Sequence, residues 1–170
     1  MRFGSLFLLL FLGACTPTVY KLKGNYGNGN FEQATTKGKE QVWSNLIDFF
    51  AKNGLSIKII DKSSGLITSE PTRLKWSIED DKGNLYDPNA WVAVAKMKGM
   101  NGQVVSTAFR VVAEWNVRVK DGPNGSTLVG VNLVNAQYMT GPAGSPYTLY
   151  TPGSIHSTGV FENTIFNAIK

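Results

Sequence analysis

The most regular hydrophobic pattern in the chain lies in residues 37–54, KGKEQVWSNLIDFFAKNG. Apolar residues recur there at i, i+4, i+7 and i+8, a spacing that places them on one face of a helix, and they are Val42, Leu46, Phe49 and Phe50. Gly54 is typical of a helix end, because glycine adopts the left-handed conformation at little cost. The pattern therefore predicts an amphipathic helix that ends close to Asn53.

Alternating patterns typical of strands follow this helix. Leu55, Ile57 and Ile59 alternate with polar residues, which predicts a half-buried strand, and LITSE after the turn DKSSG predicts a second. Further strands are predicted in WVAVAKM, VVSTAFRVVAEWNVRVK and STLVGVNLVNAQYM, with LKWSI as a short edge strand. The longest of these is predicted to present one apolar face made of Phe109, Val111, Ala113, Trp115, Val117 and Val119. The residues of STLVGVNLVNAQYM do not separate into two faces.

The C-terminal sequence SIHSTGVFENTIFNAIK predicts a second helix. Phe161, Ile165 and Ile169 recur at helical spacing, Ser157 is the expected N-cap, and Glu162 suits the first turn. The order of helix, two strands, loop, two or three strands and helix predicts an α+β fold. We expect a two-layer sandwich in which an antiparallel sheet of about five strands packs against two helices, an arrangement called a helix grip.

The chain begins MRFGSLFLLLFLGACTP, with a positive charge at Arg2 ahead of a run of leucine and phenylalanine. The run is about ten residues long, well short of the roughly 20 that span a bilayer, and its length fits the apolar core of a secretory signal. The sequence Leu12-Gly13-Ala14-Cys15 resembles the lipobox of bacterial lipoproteins. The resemblance implies that Cys15 takes a diacylglycerol thioether, that the signal is cut before Cys15, and that several acyl chains then anchor the protein stably.

An ordinary secretory signal followed by a free Cys15 is the alternative, although an unpaired thiol is a liability in an oxidising compartment. In lipoproteins of enterobacterial type, Asp after the lipidated cysteine tends to retain the protein in the inner membrane. Here that position is Thr16. The resemblance therefore implies an outer-membrane anchor, with the protein facing the periplasm.

Composition suggests three parts: a signal peptide in residues 1–14, a lipidated flexible tether in 15–30 and a single α+β domain in 31–170. The tether is rich in glycine and asparagine. The formal net charge of +5 falls by one when Arg2 leaves with the signal, and the lysines are scattered. We therefore expect no nucleic-acid partner, since such proteins carry a clustered basic patch.

A second resemblance covers the predicted helix with NGLSIKIIDKSSGLITSE, and the closing STGVFENTIFNAI. Both are similar to the repeating unit of BamC-like lipoproteins, in which a helix ends in glycine and two strands follow, joined by a glycine turn. BamC is an accessory lipoprotein of the machinery that inserts outer-membrane barrels, and it has two such domains where this chain has one. The resemblance implies the fold class and an envelope setting, and it supplies no binding residues.

Catalytic motifs are not evident in the sequence. His156, the single histidine, lacks an accompanying nucleophile motif and is interpreted as a surface or capping residue. Residues 80–84, DDKGN, lack the ligand spacing of a calcium loop and are predicted to form a turn. A cell-wall hydrolase would need a pair of carboxylates, and the candidates are Glu79, Asp80, Asp81, Asp87 and Glu114. Glu114 is more simply interpreted as a member of an ion pair, so we expect no catalytic, cofactor or metal site.

Tyr138, Tyr147 and Tyr150 lie in or beside a loop rich in proline and glycine, and we interpret them as a possible contact surface for other envelope components. The sequence thus favours a lipid-anchored, non-enzymatic lipoprotein that acts as a binding or assembly-accessory module. Two alternatives stay open. One is a carrier of a small apolar or lipid ligand between helix and sheet, and the other is a cell-wall hydrolase.

Overall fold

The computed structural model describes residues 18–27, 31–98, 104–105, 110–139, 148–149 and 154–170. The α-helices of this part are α1 (Lys39–Lys52) and α2 (Val160–Ala168), and Pro123–Gly125 forms a short 3-10 turn. The strands are numbered in chain order: β1 (Thr18–Val19), β2 (Phe31–Thr35), β3 (Ile57–Asp61), β4 (Leu66–Ser69), β5 (Thr72–Arg73), β6 (Trp76–Ser77), β7 (Val92–Val94), β8 (Met97–Lys98), β9 (Val104–Val105), β10 (Arg110–Asp121), β11 (Thr127–Met139), β12 (Thr148–Leu149) and β13 (Ile155–Ser157).

The main sheet is antiparallel and runs in the order β12-β11-β10-β4-β3, while β2 also pairs with β11 and β5 with β10. The long hairpin of β10 and β11 forms its centre, and the α1 and α2 side chains share one apolar core with it. Within the described residues, this confirms the predicted α+β architecture of an antiparallel sheet packed against two helices.

Strand β10 shows the predicted alternation. Five side chains on its inner face are buried, namely Val111, Ala113, Trp115, Val117 and Val119. Phe109, which was predicted to join them, lies outside the described residues. Because the opposite face carries polar residues such as Arg118 and Lys120, the strand has one side in the core and one side towards water.

Aromatic contacts join the helices to this sheet. The ring centroid of Phe161, on α2, lies 4.1 Å from that of Trp115 on β10 and 6.3 Å from that of Phe49 on α1. The predicted inner face of α1 is confirmed, since Val42, Leu46, Phe49 and Phe50 are all buried. Gly54 ends the α1 turn with φ +64°, in the left-handed region as expected.

Two further sheets of three strands were not predicted. One has the order β1-β8-β9 and the other β13-β7-β6, in which β6 and β7 are parallel. The sequence WVAVAKM, predicted as one strand, is divided between them as β7 and β8. The prediction of one strand for VVSTAFRVVAEWNVRVK is likewise wrong, because β9 and β10 belong to different sheets.

Two irregularities lie within the strands of the main sheet. Between β10 and β11, Val112 pairs with Gln137 but Glu114 pairs with Val134. One extra residue therefore lies on β11 near Asn135, whose φ is +53°. The residues before the bulge, from Leu128 to Val134, keep a regular register with β10, and Val129 and Val131 lie in the core. In β3, the register shifts between Ile57 and Ile59, and Ile59 is 49% exposed instead of buried as predicted.

The start of α2 also differs from the prediction. Ser157 lies in β13 rather than at the N-cap, and the helix begins after Gly159, which has φ +85°. The Ser157 hydroxyl nevertheless holds this turn, because it accepts a hydrogen bond from the Gly159 N–H. Among the described residues, neither helix is long and apolar enough to cross a bilayer.

Candidate functional site

Residues 18–26, called here the N-terminal strap, lie against the body of the domain. Strand β1 pairs with β8, and the Tyr20 N–H donates to the Lys96 carbonyl at 2.9 Å. The strap crosses from this pairing to the segment just after β6. The sequence predicted a flexible tether over these residues, and the structure differs, because backbone hydrogen bonds hold the strap in place.

Glu79 holds the far end of the strap. Its Oε2 accepts the Lys23 N–H at 2.8 Å, and its Oε1 accepts the Gly24 N–H and the Tyr26 hydroxyl, each at 2.7 Å. The residue is only 6% exposed. Three donors from one segment thus converge on one buried carboxylate, and the long separation in sequence explains why no local pattern predicted it.

Gly24 is required by close packing at this point. A Cβ added there would lie 2.7 Å from the Tyr26 ring and 2.8 Å from the Glu79 carboxylate. Glycine in the strap had been interpreted as a signal of flexibility. At this position its effect is the opposite, because the missing side chain lets the backbone N–H reach Glu79.

The hydrogen bonds decide the charge of Glu79. Burial alone would raise the pKa of its carboxyl, but the donors from Lys23, Tyr26 and Gly24 outweigh burial and lower the pKa below its usual value. The pKa of Tyr26 moves upward, through burial and through the hydrogen bond to the negative Glu79. The pair is therefore an ionised acceptor facing a protonated phenol at neutral pH.

Residues of the strap form part of the walls of two clefts. One of about 320 Å³ is lined by residues that include Leu22, Lys96 and Asp81, and one of about 430 Å³ by residues that include Tyr26 and His156. Charged groups border the first cleft, where Lys96 Nζ lies 3.8 Å from the Asp81 carboxylate. The walls of both clefts combine charged side chains such as Lys21 with apolar ones such as Leu22.

A second buried carboxylate, Glu162, lies in the first turn of α2. The Ser157 hydroxyl donates to its Oε1 at 2.5 Å, while its Oε2 has no hydrogen-bond partner among the described residues. Burial raises the pKa of Glu162, and the Ser157 hydrogen bond offsets this only in part. The sequence predicted its place in the helix but not its complete burial.

The other predicted carboxylates have local structural roles. Glu114 lies 3.6 Å from Lys58 Nζ and accepts the Asn135 side-chain amide at 3.3 Å, so the predicted ion pair forms. Asp80 accepts the backbone N–H groups of Lys82 and Asn84, which confirms the predicted turn.

The other residues singled out in the sequence are Asp87, His156, Cys15 and three tyrosines. Asp87 accepts the Asn89 N–H. His156 lies in β13, half-buried, with its ring 6.5 Å from that of Tyr26. Cys15, Tyr147 and Tyr150 lie outside the described residues, and of Tyr138 only the backbone is described, paired with Val111 in the main sheet. Among the described residues, no three His, Cys, Asp or Glu side chains are grouped to hold a metal.

The fold and the site define an α+β two-layer domain with a strapped N-terminal segment. No protein-family model matches the chain, and the curated proteins contain no match to it.

Proposed function

We propose that the protein is a bacterial envelope lipoprotein, acylated at Cys15 and anchored most simply in the outer membrane, facing the periplasm. The observation that carries the proposal is the leader, in which Arg2, the apolar run and Leu12-Gly13-Ala14-Cys15 occur in the order that such proteins require. Acyl chains on one cysteine supply the membrane attachment.

Its task is the binding of other envelope components, as a docking or assembly-accessory module without catalysis. This interpretation is supported by the local structural roles of Asp80, Asp87 and Glu114, which leave them as poor candidates for a hydrolase pair. The carrier alternative would need space between helix and sheet. Close packing of Trp115 on β10 against Phe161 on α2, with ring centroids 4.1 Å apart and both side chains buried, favours a solid core over a ligand space.

The anchor is tested by the mass of the protein purified from detergent-solubilised envelopes. We expect a chain that begins at Cys15 and carries acyl groups, and we expect Cys15→Ser to abolish both the acylation and the membrane association. Thr16→Ser is the matched control and keeps the acyl groups. An unmodified thiol on the native protein, or an uncut leader, would refute the anchor.

The binding role is tested by crosslinking in intact cells that express the full chain. We expect the protein to be captured with other envelope proteins, and the triple substitution of Tyr138, Tyr147 and Tyr150 by alanine to reduce the yield severalfold. Tyr86→Ala is the control, since Tyr86 is 70% exposed and lies outside the loop rich in proline and glycine. Capture of lipid alone would contradict a protein-binding role.

A further inference from the structure

The docked strap fixes how far the domain can lie from its anchor. Only Thr16 and Pro17 separate Cys15 from Thr18, the first residue paired with β8. Three residue steps span at most about 11 Å even when fully extended. A free tether through residue 30 would instead reach about 20 Å on average and roughly 50 Å at full extension.

The edge nearest the anchor has the chemistry of a membrane-facing surface. Tyr20 is 44% exposed and Lys21 is exposed beside it, while the Lys96 carbonyl receives the Tyr20 N–H. Tyrosine suits the water–bilayer boundary, because its ring is apolar and its hydroxyl is polar, and lysine is attracted to lipid phosphates. Asp81 lines the same cleft as Lys21 and pairs with Lys96 at 3.8 Å, so the short chain and not charge is the main constraint.

We propose that the strap holds the domain against the surface of the bilayer that receives the Cys15 acyl chains, with Tyr20 and Lys21 at the lipid headgroups. This inference rests on the proposed acylation of Cys15. The headgroup layer is about 5–8 Å thick on each side of a bilayer, so a leash of at most about 11 Å leaves the β1–β8 edge in contact with it. The strap is therefore an orienting element and not a spacer.

The test measures the distance between the domain and the bilayer in the full-length acylated protein, reconstituted in phospholipid vesicles. A fluorophore is attached through Lys82→Cys, an exposed position next to Asp81, whose carbonyl accepts the Lys23 ammonium at 2.6 Å. Vesicle lipids carry an energy-transfer acceptor on their headgroups. We expect strong transfer, and at least a twofold loss when about 12 Gly/Ser residues are inserted between Pro17 and Thr18, which lengthens the leash but leaves the strap docked.

A second variant separates the two ends of the strap. Glu79→Gln weakens the hydrogen bonds that Lys23, Gly24 and Tyr26 donate at the far end but leaves β1 paired with β8. The transfer is therefore expected to change little, as in Glu114→Gln, at a carboxylate that contacts Lys58. A loss in Glu79→Gln as large as that in the insertion variant would contradict the short leash as the main constraint. Equal transfer in the native protein and the insertion variant, with acyl chains present by mass, would overturn the inference alone. A mass without acyl chains would overturn the proposed anchor, and this inference with it.

Discussion

At the scale of single residues, two buried carboxylates behave in opposite ways because they meet different numbers of donors. Glu79 accepts three hydrogen bonds from the strap, and its pKa is lowered although burial opposes this. Glu162 accepts one hydrogen bond from a side chain, that of Ser157, and burial raises its pKa. Hydrogen bonds to an ionised carboxylate favour it, and burial without enough of them favours the neutral acid.

Glu79→Gln is expected to weaken the docking of the strap by about 1–3 kcal/mol at pH 7, because an amide cannot accept all three hydrogen bonds. A carboxyl whose pKa is lowered in the folded state adds stability at pH values above its unfolded-state pKa, which is near 4.3. That stability is lost as the pH falls through the folded-state pKa. The penalty should therefore shrink in acid. Amide hydrogen exchange at Lys23 and Gly24 measures this penalty, with Glu114→Gln as the control. Unchanged protection of these amides would contradict the role of Glu79 in holding the strap.

Glu162→Gln is expected to stabilise the domain by about 1 kcal/mol at pH 8, because a buried neutral amide costs less than a buried carboxylate. A carboxyl whose pKa is raised in the folded state contributes its full stability at pH values below its unfolded-state pKa. This contribution is lost as the pH rises through the folded-state pKa. The gain should accordingly vanish at pH 4. Urea unfolding at both pH values measures it, with exposed Glu40→Gln as the control. A loss of stability at pH 8 would show that the carboxylate is needed.

At the scale of elements, alternation predicted the inner face of β10 because that strand lies between two paired neighbours, and its buried residues, such as Trp115 and Val117, share one register. It failed for Ile59, where a single extra residue in β3 reverses which side faces the core. A bulge depends on the partner strand, so it leaves no reliable local signal in the sequence.

The turn between β3 and β4 depends on Gly65, which has φ +71° and would place a Cβ against the Val119 carbonyl oxygen. Gly65→Ala is expected to cost about 3 kcal/mol or more, since it adds steric overlap to left-handed strain. Gly125→Ala is the matched control: its φ is +74° with open space around it, so a cost of about 1 kcal/mol is expected. Urea midpoints compare the two, and equal losses would show that overlap at Gly65 is unimportant.

At the scale of the whole molecule, local patterns predicted the helices and the main sheet, and long-range contacts supplied what they could not. The strap illustrates the limit, because Gly24 and its asparagine neighbours are typical of a flexible segment. Their docking depends on Glu79, 55 residues away from Gly24 in the chain. Nothing in the sequence around Glu79 marks it as an acceptor for the strap. The division of WVAVAKM between two sheets likewise depends on distant strands, since β7 pairs with β13 and β8 pairs with β1.

Phe161 is the residue through which the layers of the molecule meet. Its ring lies 4.1 Å from Trp115 on the main sheet, 4.6 Å from Trp91 beside β7, and 6.3 Å from Phe49 on α1, measured between centroids. Phe161→Ala is therefore expected to cost about 3–5 kcal/mol and to lower the unfolding midpoint of the domain as one unit. Tryptophan fluorescence and far-ultraviolet circular dichroism should give the same midpoint in the variant, while Tyr86→Ala, at an exposed ring, should change little. Separate midpoints for the two probes would show instead that the small sheets unfold independently of the main one.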